Sequence, residues 1–412
     1  MLSKIVLDRL QARLQAERLP LSIRLWDSQT LVGSLPASVT LALNTPRAVS
    51  LFIHPSLSRL AEAYVRQWVD LEGDARTALT LLSPLFTNPK RIHKRISDRW
   101  RFWRHNRMRD ARAVSSHYDV SNEFYALWLD QRRVYSCAYY HTDQDSLDLA
   151  QEQKLDHICR KLRLQPGERF LDIGCGWGAL ILWAAENYGA DCTGITLSRN
   201  QHEHVQALIE QRGLADRCRV HLMDYRDVSE EMPFDKIASV GMFEHVGLRK
   251  LPDYFRKMHA LLNPGGLSLN HGITKATSDD EHIDGSGDEF IARYVFPDGE
   301  LAHVSLVMEQ MARQGLECLD VENLRPHYAR TMWQWVERLD AHADEARALV
   351  GEQKYRIWRA YMAGCAFAFE SGWNAIYQIL LAKPLTDGSV AHPLTRDYMY
   401  RTDSHPADGR LS

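Results

Sequence analysis

Residues 171–180 read LDIGCGWGAL. A short apolar run that begins at Phe170 enters a turn in which Gly174, Gly176 and Gly178 alternate with other residues. A helical pattern, ALILWAAENYG, follows and stops at Gly189. Glycines at such positions let the backbone turn tightly and approach a ligand closely. Strand, glycine turn and helix open a parallel α/β sheet, and ligands of such sheets sit beyond the carboxyl ends of the strands. The dinucleotide fingerprint is G-x-G-x-x-G. Here the third glycine comes one residue early, which disfavours a dehydrogenase.

Outward from this stretch the alternation continues. DCTGITLS is a second strand and NQHEHVQALIEQRG a second helix. RCRVHLMD is the third strand and FDKIASVGMFEHV the fourth. LPDYFRKMHALLNPGG reads as a helix with a Pro-Gly-Gly stop, LSLNHGIT as the fifth strand. LECLDVENLR and WNAIYQILLAKP read as late strands. Strands alternating with helices imply right-handed crossovers and a mostly parallel sheet. Upstream, a charged amphipathic helix opens the chain. The strand-like runs LSIRLWD and VTLALN and the helical run LSRLAEAYVRQWVDL follow it.

The chain has 412 residues, enough for two or three domains. Its 45% apolar and 25% charged composition is that of a soluble globular protein. No run approaches the roughly 20 apolar residues of a membrane-spanning helix. The seven cysteines show no metal-ligand spacing, and without an export signal they read as thiols in a reducing cytoplasm. The net charge of −3 hides a block, KRIHKRISDRWRFWRHNRMRDAR, with ten Lys or Arg against two Asp. A basic block interleaved with Trp100, Phe102 and Trp103 suits an anionic surface. It also suits a solvated bridge between domains. The expected domains are 1–90, a basic aromatic linker over 91–115, a catalytic domain over 116–392 and a tail over 393–412.

Asp172 makes the glycine turn more specific. D-x-G-x-G-x-G resembles the first motif of class I S-adenosylmethionine-dependent methyltransferases. The resemblance implies a Rossmann-like, mostly parallel seven-stranded sheet beside a smaller α+β N-terminal domain. Asp224, Tyr225 and Arg226 close the third strand, where such enzymes hold the adenine, and LNPGG before the fifth strand is typical of them. Most of them end the second strand in an acid that binds the ribose. Here it ends Ile195-Thr196-Leu197-Ser198. Gln201, whose amide both donates and accepts, is the expected replacement.

TLSRNQ, YSCAYY, HYDVSNEFYALWLD, FEHVG and FIARYVFPDGEL together resemble the cyclopropane-fatty-acyl-phospholipid synthase family, over about residues 116–385. The mycolic acid cyclopropane synthases are similar. The resemblance implies that the methyl of S-adenosylmethionine is added across a cis double bond of a phospholipid acyl chain, and that bound bicarbonate removes the proton so that a cyclopropane closes. It implies bicarbonate contacts at Cys137, Glu244, His271, Tyr328 and the backbone of Ile273. Cofactor contacts are implied at Tyr135, Ser136, Asp172, Gly174, Cys175, Gly176, Gly178, Thr196, Leu197, Ser198, Gln201, Asp224, Tyr225 and Arg226. Cys365 matches the family's active-site cysteine, although a cysteine between Tyr361 and Phe369 on one helix face also suits core packing. Each polar residue alone would read as a satisfied buried group; the ordered set favours the site. The implied partners are an anionic phospholipid bilayer and its unsaturated acyl chains. The implied form is a cytoplasmic homodimer at the inner face of the membrane, with no nucleic acid. Three rivals remain: a methyltransferase leaving a methyl or methylene branch, a small-molecule methyltransferase, and an inactive lipid-binding protein.

Overall fold

A computed structural model describes residues 2–93, 121–278, 281–284, 288–296 and 299–400. Most of the basic segment, residues 117–120 of the HYDV motif and the last twelve residues lie outside them. No helix among the described residues is long and apolar enough to cross a membrane. None of the seven cysteines, all described, is disulfide-bonded. The chain forms two compact units.

The first unit comprises Met1–Phe102, Asp279–Pro297 and Met332–Trp373. Strands β1 (Leu21–Arg24), β2 (Thr30–Val32), β3 (Val39–Leu43) and β4 (Val69–Glu72) form a sheet in the order β2-β1-β3-β4. Leu14, Leu21, Ile23, Leu41, Ala78 and Phe86 are buried in its core. The helix expected over LSRLAEAYVRQWVDL stops at Val65. Gln67 turns left-handed, with φ of 60°, and the Trp68 N–H returns to the Ala63 carbonyl at 2.8 Å. The alternating V-D-L-E that follows pairs antiparallel with β3. Further on, β5 (Asn88–His93) takes in the first three residues of the expected linker.

The second unit comprises Trp103–Ser278, Asp298–Thr331 and Asn374–Ser412. Its strands are β6 (Arg169–Ile173), β7 (Asp191–Thr196), β8 (Cys218–Leu222), β9 (Phe234–Val240) and β10 (Leu262–Lys275). A short strand β11 (Glu281–Asp284) belongs to the first unit and pairs with β5. The sheet is completed by β12 (Glu317–Asn323) and β13 (Asn374–Ala382), in the order β12-β13-β10-β9-β6-β7-β8. Six strands run in one direction, and β13 runs antiparallel to both neighbours. The mostly parallel seven-stranded sheet is as expected. The chain order reverses at β6, which lies between β7 and β9, so its carboxyl end is the switch point where ligands bind.

Two further boundaries differ from the sequence reading. The fourth strand ends at Val240, because Gly241 turns with φ of +65° and Phe243–His245 forms a 3-10 turn. The first unit also takes in residues 332–373, which the sequence boundaries placed in the catalytic domain. The helix Ala343–Glu370 is tied to that unit by Arg356, which pairs with Asp70 at 2.7 Å and stacks over the Tyr64 ring at 4.6 Å. These are long-range contacts that no local pattern signals.

Candidate active site

The glycine turn follows β6 directly. Gly174, Gly176 and Gly178 all have left-handed φ, at +81°, +55° and +83°. The Gly174 and Cys175 N–H groups both donate to the Ile195 carbonyl at the end of β7. A Cβ on Gly178 would press on Val205 at 2.8 Å, whereas one on Gly176 would meet nothing within 4 Å. Gly178 therefore serves helix packing, and Gly176 borders open space. Asp172 is buried one residue before the end of β6. Burial raises its carboxyl to about 7 against the opposing charge of Lys154, and its Oδ1 has no hydrogen-bond partner.

At the end of β7 the Thr196 hydroxyl donates to Gln201 Oε1 at 2.7 Å. Ser198 caps the next helix, accepting from the Gln201 N–H. Leu197, half-buried, lies between them. Gln201 thus has its amide oxygen turned onto Thr196, and its amide N–H₂ keeps its donors. At the end of β8, Asp224 caps a 3-10 turn and is gripped by Arg226 through Nε at 2.8 Å and a second nitrogen at 2.6 Å. The Arg226 guanidinium also lies 5.5 Å from the Tyr225 ring. The three side chains form one rigid wall.

Tyr135 and Ser136 reach the glycine turn through an aromatic cluster. Trp177 packs on Tyr125 at 4.9 Å and donates to Asn122 Oδ1 at 2.9 Å. Tyr125 and Trp128 flank Tyr135 at 5.8 and 5.5 Å. Ser136 is held from the helix Leu147–Lys161: Gln151 donates to its carbonyl at 2.9 Å and Lys154 to its hydroxyl oxygen at 3.1 Å.

The second corner lies where β9 and β10 end. A Cβ on Gly272 would fall 2.0 Å from the Phe243 ring. The glycine in LNHGI therefore lets the FEH turn close over β10. That closure brings Glu244 Oε1 to the Ile273 N–H, 2.9 Å away. The Ile273 backbone, expected to meet an ion, here donates its N–H to Glu244 and orients that side chain. Glu244 Oε2 is buried without a partner, as is His271 Nε2. His271 is 1% exposed, and burial holds its imidazole well below the ordinary range, hence neutral. Gln378 Nε2 lies 3.3 Å from His271 Nδ1. With that amide donating, the ring proton sits on Nε2 and faces outward as a donor.

Cys137 and Tyr328 join this corner through the backbone. Ile273 pairs with Ile376 across the sheet, and the Ile376 carbonyl accepts from the Leu324 N–H at 2.9 Å. The Leu324 carbonyl lies 3.8 Å from Cys137 Sγ and accepts the Tyr328 N–H at 3.0 Å. Burial pushes the Cys137 thiol far up, which makes it a neutral wall rather than a thiolate. Glu244, His271, Ile273, Cys137 and Tyr328 thus belong to one continuous set of contacts. Cys365 lies on the helix Ala343–Glu370 in the first unit, half-buried, between the buried Tyr361 and Phe369.

The mycolic acid cyclopropane synthetase family model matches residues 105–379. The chain belongs to this family. A protein of Pseudomonas putida named "Probable fatty acid methyltransferase" is 44% identical over 96% of this chain and all of its own length. The structure of the cyclopropane synthase MmaA2 from Mycobacterium tuberculosis superposes with a TM-score of 0.62 at 36% identity, covering 66% of this chain and 98% of that one. The mycolic acid cyclopropane synthase CmaA1 complexed with SAH and CTAB gives 0.61 at 34% identity, covering 66% and 97%. The sheet is thus that of the class I S-adenosylmethionine-dependent methyltransferases.

Around this cyclopropane-synthetase sheet, sequence reasoning missed Asp130, Gln151, Lys154 and Gln378. The helix Leu147–Lys161 shows the signal that was available. Leu147, Ala150, Leu155 and Ile158 form its apolar stripe, and Gln151 and Lys154 fall inside that stripe and are buried with it. A polar residue on a core face needs a partner, and here the partner is Ser136.

Proposed function

We propose that the chain is a lipid cyclopropane synthase. In this reading the alkene π electrons of a cis-unsaturated phospholipid acyl chain form a bond to the S-adenosylmethionine methyl carbon. The carbon–sulfur bond breaks, S-adenosylhomocysteine leaves, and the neighbouring carbon becomes a cation. Loss of a proton from the new methyl lets the third ring bond close. A lipid methyltransferase using S-adenosylmethionine is what family membership carries; the phospholipid, the ring and the ion are this proposal's own.

The observation that supports it is the pair of buried, unpartnered atoms at one corner, Glu244 Oε2 and His271 Nε2. An acceptor and a donor left open in a dry place suit a small planar anion that carries one O–H, as bicarbonate does. When bound, bicarbonate would supply the proton acceptor. Glu244, oriented by the Ile273 N–H, would accept the ion's hydroxyl hydrogen. His271 and Tyr328 would donate to its oxygens, and Cys137 would close the wall. The basic segment, most of it outside the described residues, would bring the protein to an anionic bilayer.

A second reading is a branched product, since the Pseudomonas putida relative is named only as a fatty acid methyltransferase. One experiment separates the two. Purified protein is given trideuteromethyl-labelled S-adenosylmethionine and vesicles of unsaturated phospholipid. A product that retains two deuterons and resists mild hydrogenation is the cyclopropane. Two deuterons in a product that mild hydrogenation reduces indicate a methylene branch, three deuterons indicate a methyl branch formed by proton loss from the chain, and no labelled lipid at all overturns both readings.

A further inference from the structure

The helix Leu147–Lys161 carries a buried cation that the proposed chemistry does not use. Lys154 is 2% exposed. Its ammonium donates to Ser136 Oγ at 3.1 Å. Its charge acts on Asp130, Cys137 and Asp172, and burial lowers its own pKa to about 8. Burying an ammonium costs several kcal/mol, and a methionine would fill similar volume without that penalty. The position is therefore unlike ordinary core packing.

Hydrogen-bond capacity fixes what the ammonium does. Lysine has three donors and no acceptor, so the Ser136 oxygen must accept. That leaves the Ser136 hydroxyl hydrogen directed elsewhere as a donor. Gln151, one turn earlier, pins the Ser136 carbonyl at 2.9 Å, so the residue has little freedom to reorient. Asp172 offers the complementary feature, a buried Oδ1 with no partner. The charge of Lys154 opposes the effect of burial on that carboxyl and favours its ionised form. A directed donor and an unpartnered carboxyl oxygen thus share one buried cation. The homocysteine end of S-adenosylmethionine carries a carboxylate and an ammonium.

We propose that Lys154 is a positioning residue for the amino-acid end of the cofactor: it turns the Ser136 hydroxyl toward the ligand carboxylate and sets its charge behind the open Asp172 oxygen that would take the ligand ammonium. This rests on the reading that S-adenosylmethionine binds at the glycine turn. The consequence is selective, because the adenosine portion lies outside the reach of this arrangement.

The test compares two ligands by calorimetry on the full chain. S-adenosylhomocysteine carries the amino-acid end, and 5′-methylthioadenosine lacks it. Lys154→Met should weaken the first by about tenfold or more, the scale of a hydrogen bond to a charged group, and the second by less than about twofold. Ser136→Ala should show the same selectivity. The double variant should be little worse than the more severe single variant, because residues acting as one unit are not additive. Thermal melting without ligand checks the fold. Should Lys154→Met not fold, Lys154→Gln, which keeps a donor but not the charge, should give an intermediate, still selective loss. Equal losses for both ligands, no loss, or additive losses would overturn the role of Lys154. Wild-type protein that binds neither ligand would overturn the cofactor reading itself.

Discussion

Two carboxylates show how differently the two units use the same group. Asp340, in the first unit, accepts from Arg359 Nε at 2.6 Å, from a second Arg359 nitrogen at 2.9 Å and from the Tyr355 hydroxyl at 3.2 Å. Both of its oxygens are engaged. Glu244, in the second unit, is more deeply buried, yet only Oε1 is engaged and Oε2 has no partner. The first is a strut, closed by the fold. The second is held open by the fold, and burial raises its carboxyl to about 7. Unused hydrogen-bond capacity in a dry place leaves Glu244 able to take a ligand, whereas Asp340 is already closed.

The largest expected effect sharpens that contrast. Glu244→Gln keeps the size but removes the carboxylate, and turnover should fall ~10²–10⁴-fold, the usual contribution of a positioned base. The dissociation constant of S-adenosylhomocysteine should stay within about twofold. Adding bicarbonate should raise wild-type turnover and do less for the variant. Wild-type turnover in the variant, with unchanged bicarbonate dependence, would reduce Glu244 to a buried structural acid.

The glycine turn offers the same comparison in the backbone. Gly176→Val places a side chain where nothing lies within 4 Å. S-adenosylhomocysteine affinity should fall about a hundredfold. Stability should change only by the ~1–2 kcal/mol of a left-handed non-glycine residue. Gly178→Ala meets Val205 at 2.8 Å, so its main loss should be in the melting temperature. The reverse pattern would exchange their roles. In the first unit, Asp340→Asn should cost about 1–3 kcal/mol, discounted because Asp340 is about one-third exposed. Turnover per folded molecule should be unchanged.

How much of this was legible in the sequence follows from the range of each interaction. LDIGCGWGAL announced the switch-point strand, because glycine geometry is local and a parallel α/β pattern repeats along the chain. FEHVG and LNHGI could be matched to a family, but no spacing shows that Gly272 admits the Phe243 ring or that the Ile273 N–H belongs to Glu244. Those depend on two strands lying side by side. The strand Val69–Glu72 was hidden inside a longer amphipathic pattern until Gln67 turned left-handed. Lys154 stands among charged residues of its helix, and only its place on the apolar stripe sets it apart. The assignment of residues 332–373 to the first unit rests on Arg356 meeting Asp70 and Tyr64, contacts nearly three hundred positions apart.

The smallest expected effect is in stability, and its sign follows from titration. In the unfolded chain Glu244 titrates near 4.5, and in the folded chain near 7. Between those values the folded protein holds a proton that the unfolded chain has released. Stability therefore falls as pH rises through this window and levels off above it. Glu244→Gln has no such titration. The variant should be most stabilised, relative to wild type, near pH 8 and least near pH 4.5. The difference should change by about 1–3 kcal/mol across the window, since a tenfold change in proton affinity is worth about 1.4 kcal/mol and relaxation reduces the full value. Asp172 is also raised to about 7, but it is present in both proteins and cancels in the comparison. Wild-type turnover should climb through the same window as Glu244 ionises and becomes able to accept a hydrogen bond. Denaturant unfolding of both proteins at several pH values gives the measurement. A difference that stays constant with pH would mean that Glu244 titrates alike in the folded and unfolded chain, and the reading of it as a carboxylate held open in a dry place would fail.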